Sequence, residues 1–203
     1  MAREELQQRR YERMRWVLER RQLDLELVLD NLWDRHNVSA IVRTADGLGV
    51  GAINLLYWLE RFPRISAGVS GFSKRWTKLR RYDAVAPCFD ELRSRGLRIL
   101  ATTMEDATSY LDVDWTRPTA LVMGHERDGC SQEVLDGVDG RVTIPMPGFA
   151  QSFNVGVAAG IILSEAARQR RAAKRYEPCW DDVRQETMDR WISREETGLP
   201  RDT

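Results

Sequence analysis

Ile144-Pro-Met-Pro-Gly-Phe-Ala-Gln-Ser-Phe-Asn154-Val-Gly-Val-Ala-Ala-Gly-Ile-Ile-Leu-Ser-Glu-Ala-Ala-Arg-Gln-Arg-Arg171 joins an irregular loop to a helix. Pro145, Pro147 and Gly148 impose an extended path, because proline fixes its own φ and biases the residue before it away from the helical region. A helix is predicted to begin near Ser152 or Asn154, with capping by Ser152 as the simplest use of the polar step Gln-Ser-Phe-Asn. Small and aliphatic residues from Val155 to Leu163 then cover most of the helix surface, which predicts a largely buried helix. Its start is a place where unpaired N–H groups and the helix dipole favour acceptors or anions.

Outward from this helix, apolar runs alternate with helical patterns. Strands are expected at Ala52 to Trp58, Thr77 to Val85, Leu97 to Thr102, Thr119 to Met123 and Arg141 to Ile144, with helices over Cys88 to Arg95 and Ser131 to Val138. The last three runs are continuous and aliphatic or β-branched, as in strands covered on both faces. The fold class is therefore α/β, a mainly parallel sheet with helices on both faces. Glu4 to Arg21 reads as an amphipathic amino-terminal helix, Leu25 to Trp33 as a helical turn, Asn37 onward as a helix closed by Gly47 or Gly49, and Trp180 to Ile192 as a final helix outside the sheet.

The 203 residues, 42% of them hydrophobic, suffice for one substantial core with a small helical appendage. No apolar run is long enough to span a membrane, and the start is rich in Arg and Glu, so neither a span nor a secretory signal is expected. Three widely spaced cysteines without a CxxC pair argue against a disulfide framework or a zinc knuckle and favour the cytoplasm. The formal net charge is zero, but its distribution is uneven. Arg61, Arg64, Lys74, Arg75, Lys78, Arg80 and Arg81 form a basic run without an acidic residue, and Arg168, Arg170, Arg171, Lys174 and Arg175 form a second cluster. With Trp76 and Tyr176 nearby, both suit phosphate contacts and base stacking; either alone reads better as an ordinary solvated surface, and it is the two together that bring RNA contact level with it.

Gly47-Leu-Gly-Val-Gly has the wrong spacing for a dinucleotide fingerprint and follows a helix rather than a strand. His36 and His125 form no nucleophile–base pair by spacing. The loop Met123-Gly-His-Glu-Arg-Asp-Gly-Cys-Ser131 follows an apolar strand and so sits at the carboxyl edge of the sheet, where open α/β sheets bind ligands. Gly124 permits a close backbone approach, Glu126 offers a carboxylate, and Ser131 is placed to cap the next helix. Read alone, this loop is as well explained as a strand-to-helix turn with a charged tip. Thr102 and Thr103 end the preceding strand on the same edge, so loops after Ala101, Met123 and Ile144 can converge on one crevice.

Three segments, Asn37-Val-Ser-Ala-Ile-Val-Arg43-Thr-Ala-Asp-Gly-Leu-Gly-Val, Leu121-Val-Met-Gly-His-Glu126-Arg-Asp-Gly-Cys-Ser and Ile144-Pro-Met-Pro-Gly-Phe-Ala-Gln-Ser152-Phe-Asn154-Val, resemble the three ordered motifs of the SpoU family of RNA 2′-O-methyltransferases, within the SPOUT superfamily. Arg20 to Leu32 and the Arg168-Gln-Arg-Arg segment are similar to the tRNA (guanosine-2′-O-)-methyltransferase branch. The resemblance implies an S-adenosylmethionine donor, a tRNA substrate methylated at the D-loop guanosine conventionally numbered 18, a homodimer, no metal, and a trefoil knot within about residues 119–165. It divides the chain into a helical RNA-binding extension (1–35), a methyltransferase domain (36–172) and a helical tail (173–203). It assigns Thr102, Gly124, Ile144, Met146 and Phe153 to the donor, and Arg43, Asn37, Glu126, Ser152 and Asn154 to catalysis. Asn37 and Glu126 are expected to orient Arg43 by hydrogen bonding and ion pairing. Arg13, Lys74, Arg75, Arg168, Arg170 and Arg175 are expected to contact RNA. Methylation of ribosomal RNA by the same chemistry and a catalytically silent RNA-binding module of the same fold stand as the alternatives.

Overall fold

The computed structural model describes residues 2–59 and 76–197, with side chains for 5–59 and 76–194. In chain order the elements are α1 (Ala2–Glu19), β1 (Gln22–Asp30), α2 (Arg35–Gly47), β2 (Val50–Leu56), β3 (Lys78–Tyr82), α3 (Val85–Ser94), β4 (Arg98–Thr102), β5 (Thr108–Ser109), β6 (Thr119–Met123), α4 (Gln132–Gly137), β7 (Gly140–Thr143), α5 (Val155–Ala172) and α6 (Asp182–Thr197). The strands form one sheet in the order β3-β2-β1-β6-β4-β7-β5, and every pairing is parallel.

The helical expectation for Leu25 to Trp33 is overturned, for these residues belong to the central strand β1 and the turn after it. Leucine and glutamate are good helix formers, which biases a local reading. The decisive signal is the alternation at Leu23, Leu25, Leu27 and Leu29, whose period of two belongs to a strand. Leu25, Leu27 and Leu29 enter one core with Val38, Ile41 and Val42 of α2 and Ala159, Ile162 and Leu163 of α5. Val28 faces the other way, into a core with Phe89 and Leu92 of α3 and Val134 of α4. The sheet is thus covered on both faces. A third cluster, Met14 and Leu18 of α1 with Met188 and Trp191 of α6, joins the chain's two end helices to each other.

The sheet edges explain why the outer strands are short or charged. β3 reads Lys-Leu-Arg-Arg-Tyr, and β5, absent from the sequence reading, has only two residues; charge and brevity both discourage pairing with another chain. Buried charges are paired. Glu26, 1% exposed, accepts hydrogen bonds from Asn54, Arg80 and Arg95. Lys74 and Arg75 lie outside the described residues.

Arg170 departs from the expected RNA contact. Its side chain is fully buried, donating to the Trp115 carbonyl at 2.8 Å and the Arg117 carbonyl at 3.0 Å, with Asp24 as its ionic partner. Arg170 therefore clamps α5 to β1 and the segment before β6, and cannot reach RNA. Its place in a basic cluster hid this, because a buried arginine on the last turns of a helix has the same local sequence as a solvated one. Arg170→Ala removes the donors from these carbonyls and the partner of Asp24, and should cost about 3–5 kcal/mol of stability, measurable by urea unfolding; a loss below about 1 kcal/mol would match an exposed pair instead.

Candidate active site

β6, β4 and β7 lie side by side, so the loops after Met123, Thr102 and Thr143 leave the same edge of the sheet. The convergence expected from the sequence is present. The loop after Met123 is a tight turn closed by reciprocal bonds between His125 and Gly129, at 2.8 and 2.9 Å. Gly124 is buried beneath it, and a Cβ there would stand 2.1 Å from the Cys130 nitrogen and 2.2 Å from the Gly129 carbonyl carbon. The requirement for glycine at this position thus comes from the protein's own backbone.

Glu126, at the tip of that turn, ties it to the start of α2. Its Oε1 accepts from the Asp34 N–H at 3.0 Å and from Asn37 Nδ2 at 2.9 Å, and its Oε2 accepts from the Trp33 N–H at 3.0 Å. Partial burial alone would raise the carboxyl pKa, but the hydrogen bonds from Asn37, Trp33 and Asp34 outweigh it and hold the group below its ordinary value. Asn37 passes the connection on, its Oδ1 accepting from Asn154 Nδ2 at 3.0 Å. Asn154 also caps α5, its Oδ1 accepting from the Gly156 and Val157 N–H groups at 2.9 and 3.3 Å. One residue from each motif therefore stands in a single hydrogen-bonded line.

Three sequence expectations are corrected at this point. Ser152 does not cap α5; Asn154 does, and Ser152 is left exposed. Ser131 stands at the cap position of α4, but its hydroxyl donates to the buried Asp30 Oδ2 at 2.9 Å instead of capping the helix. Arg43 is not ion-paired to Glu126, whose oxygens are engaged by Asn37 and two backbone N–H groups; it lies on the exposed side of α2, six residues or about 9 Å along the axis from Asn37. Arg43 shares the helix that Glu126 anchors, and its orientation is set by that helix.

The expected donor residues surround the same edge. Thr102 is half-buried, its hydroxyl donating to the Val122 carbonyl at 3.0 Å, and its own carbonyl accepts from the Cys130 thiol at 3.4 Å. Burial pushes that thiol up to about 12 and keeps it protonated. Ile144 and Met146 are half-buried, while Phe153 is 39% exposed. Among the described residues, the backbone groups of 145–153 take part in no hydrogen bond with the rest of the protein. Open main-chain donors and acceptors beside half-buried apolar side chains fit a neutral heteroaromatic ring, held by shape and backbone hydrogen bonds.

The sequence reading missed Asp30, Asn31 and the segment before α2. Asp30 is 1% exposed and its Oδ2 accepts both the N–H and hydroxyl of Ser131. Asn31 takes a positive φ of 51° and its Oδ1 accepts from the Trp58 and Leu59 N–H groups. An Asp-Asn pair ending an alternating leucine run is the signal that could have found them.

The basic candidates sort differently. Arg13 is exposed with its guanidinium 4.6 Å from the Trp16 ring, Arg168 is exposed and bound to Glu165 at 2.7 Å, and Arg175 is paired to Asp24 at 2.8 Å. α5 is also less buried than expected: Val157 is 51% exposed and, with Gly160, Ile161, Ser164 and Tyr110, borders a concavity of about 780 Å³.

Glu126, Asn37 and Asn154, which tie the converging loops together, come one from each of the three segments that resemble the SpoU motifs. A profile of the SpoU rRNA methylase family matches residues 24–164, and the chain belongs to that family. It is 42% identical over 172 residues to the tRNA (guanosine(18)-2′-O)-methyltransferase of Thermus thermophilus, covering 83% of this chain and 87% of the relative. The crystal structure of the Aquifex aeolicus TrmH/SpoU tRNA modifying enzyme superposes with a TM-score of 0.86 at 37% identity, over 93% of this chain and 97% of the other. That of the SpoU methyltransferase AviRb from Streptomyces viridochromogenes, in complex with AdoMet, superposes with a TM-score of 0.65 at 26% identity, over 72% of this chain and 58% of the other.

Because the folded-state pKa of Glu126 is lowered, its contribution to stability is complete above the ordinary carboxylate range and is lost as pH falls through the lowered value. Glu126→Gln should therefore lower the urea midpoint at pH 7, and the gap to the wild type should close as pH falls below roughly 4. A gap that persists unchanged at low pH would assign the effect to packing and not to the ionised carboxylate.

Proposed function

We propose that this chain methylates the ribose 2′-hydroxyl of a tRNA guanosine at position 18 of the D-loop, with S-adenosylmethionine as donor. The observation that carries this reading is the line Glu126–Asn37–Asn154, which joins the three motifs at the carboxyl edge of the sheet. The relative from Thermus thermophilus, matched over most of both chains, favours tRNA over ribosomal RNA. S-adenosylmethionine supplies, when bound, an electrophilic methyl group on a sulfonium. Thr102, Ile144, Met146 and the backbone of 145–153, together with Phe153 beside it, would hold it, with Gly124 shaping the floor.

The 2′-hydroxyl oxygen would gain the methyl group as the carbon–sulfur bond breaks and a neutral thioether leaves, and it would lose its proton, so negative charge develops on it during the attack. Arg43 is charged at neutral pH and is assigned the grip on the adjacent phosphate and the stabilisation of that developing charge. The proton leaves to solvent, or to Arg43 itself when transiently neutral and helped by the substrate phosphate. Asn37, held by Glu126, fixes the helix that carries Arg43, and Ser152 offers its free hydroxyl to the ribose.

Arg13, Arg168 and Arg175 are assigned to RNA contact, and Lys74 and Arg75 are assigned to it by their charge in the sequence alone; α1 belongs to the extension 1–35 and α6 to the tail 173–203. The homodimer forms through the open face of α5, where Val157 is exposed. The placement of β4 between β6 and β7 supports a knotted path over about 119–165. None of the described helices is long and apolar enough to cross a membrane, and a tRNA substrate places the enzyme in the cytoplasm.

The test is labelled S-adenosylmethionine with unfractionated tRNA, followed by mapping of the modified nucleotide. Arg43→Ala should lower kcat by at least about 100-fold, the range expected for loss of a charge-stabilising group, with donor affinity by equilibrium dialysis unchanged. Turnover near the wild-type rate would overturn the role of Arg43, and a label on ribosomal RNA alone would overturn the substrate.

A further inference from the structure

Trp33 exposes 68% of its surface one residue before the cap of α2. Its backbone is fixed on both sides. The Trp33 and Asp34 N–H groups both donate to Glu126, and the preceding Leu32 is fully buried, its carbonyl accepting from the Tyr57 hydroxyl at 3.0 Å. The indole therefore projects into solvent from a segment already ordered by the candidate site. Across the Asn37–Asn154 hydrogen bond, Phe153 occupies the matching position one residue before the cap of α5 and is 39% exposed. The cap of α5 thus meets the first turn of α2, and each of these two helix starts carries an exposed aromatic residue.

A large flat apolar surface facing water is unfavourable, and among the described residues Trp33 belongs to none of the three hydrophobic cores. A ribose carries its base on the neighbouring carbon, so a nucleotide whose 2′-hydroxyl reaches this edge brings a base to within one residue's breadth of it. Unpaired RNA bases are bound chiefly by stacking on aromatic side chains, and a rigid platform loses little freedom in doing so. We propose that Trp33 is the stacking platform for a nucleobase of the RNA substrate, at or next to the methylated nucleotide. It acts in binding and presentation, and takes no part in the chemistry. This rests on the RNA reading given above.

Trp33→Ala and Trp33→Phe would be compared with the wild type by tRNA filter binding, steady-state methylation with tRNA as the varied substrate, and equilibrium dialysis with S-adenosylmethionine. Trp33→Ala should raise both Kd and KM for tRNA about tenfold, within the range for loss of one stacked base, with kcat within about twofold and donor affinity and Tm unchanged. Trp33→Phe should recover most of the loss. An unchanged Kd and KM, a fall in kcat without a change in KM, or a Phe variant as weak as the Ala variant each overturns the platform. If the wild type binds tRNA without methylating it, the proposed function falls and the binding comparison alone decides the platform; if it binds no tRNA, both fall.

Discussion

The carboxylate of Glu126 holds three donors from the start of α2 on a turn that follows β6. The rest of the site depends on this arrangement, because α2 and the turn are far apart in sequence and the β1–β6 ladder that brings them near each other ends at Leu29 and Met123. Once Asn37 is held by Glu126, its carbonyl oxygen faces Asn154, and the cap of α5 is positioned by the same bond that orients Asn37. The turn itself can carry Glu126 to that point only because Gly124 lets the backbone of 129–130 pass directly over it. A glycine, a carboxylate and two carboxamides thus fix the relative placement of three elements that approach the sheet edge from different directions.

The same economy governs the buried charges. Glu26 in β1 and Arg170 in α5 lie on opposite faces of the sheet, each with partners that match its hydrogen-bonding capacity. Their burial shows that part of a basic-looking surface is structural. Arg80 and Arg170, counted with the RNA-facing clusters on sequence grounds, are turned inward to acidic partners, whereas Arg13 and Arg168 remain at the surface.

How legible these features are in the sequence depends on their range. The strands over 98–102, 119–123 and 140–143 announce themselves as apolar runs, and the convergence of their loops follows from parallel topology. Asn37, Glu126 and Asn154 can be selected from their motifs, but their mutual contacts cannot be read from spacing, since they are 89 and 117 residues apart. β1 is obscured by residues that favour helices locally, and its strand character is imposed by β2 and β6 on either side. Asp30 looks like a surface residue until the N–H of Ser131 is seen to point at it.

The pairing of β1 with β6 carries a temporal implication. Leu25 is matched to Thr119, and β6 in turn supplies the ladder on which β4 lies. The middle of the sheet therefore stays open at β1 during synthesis until residue 123, the end of β6, has been made. Through that interval the leucines of β1 have only α2 and β2 to pack against, and the long-range pairing that completes the sheet is the kind of contact that forms slowly.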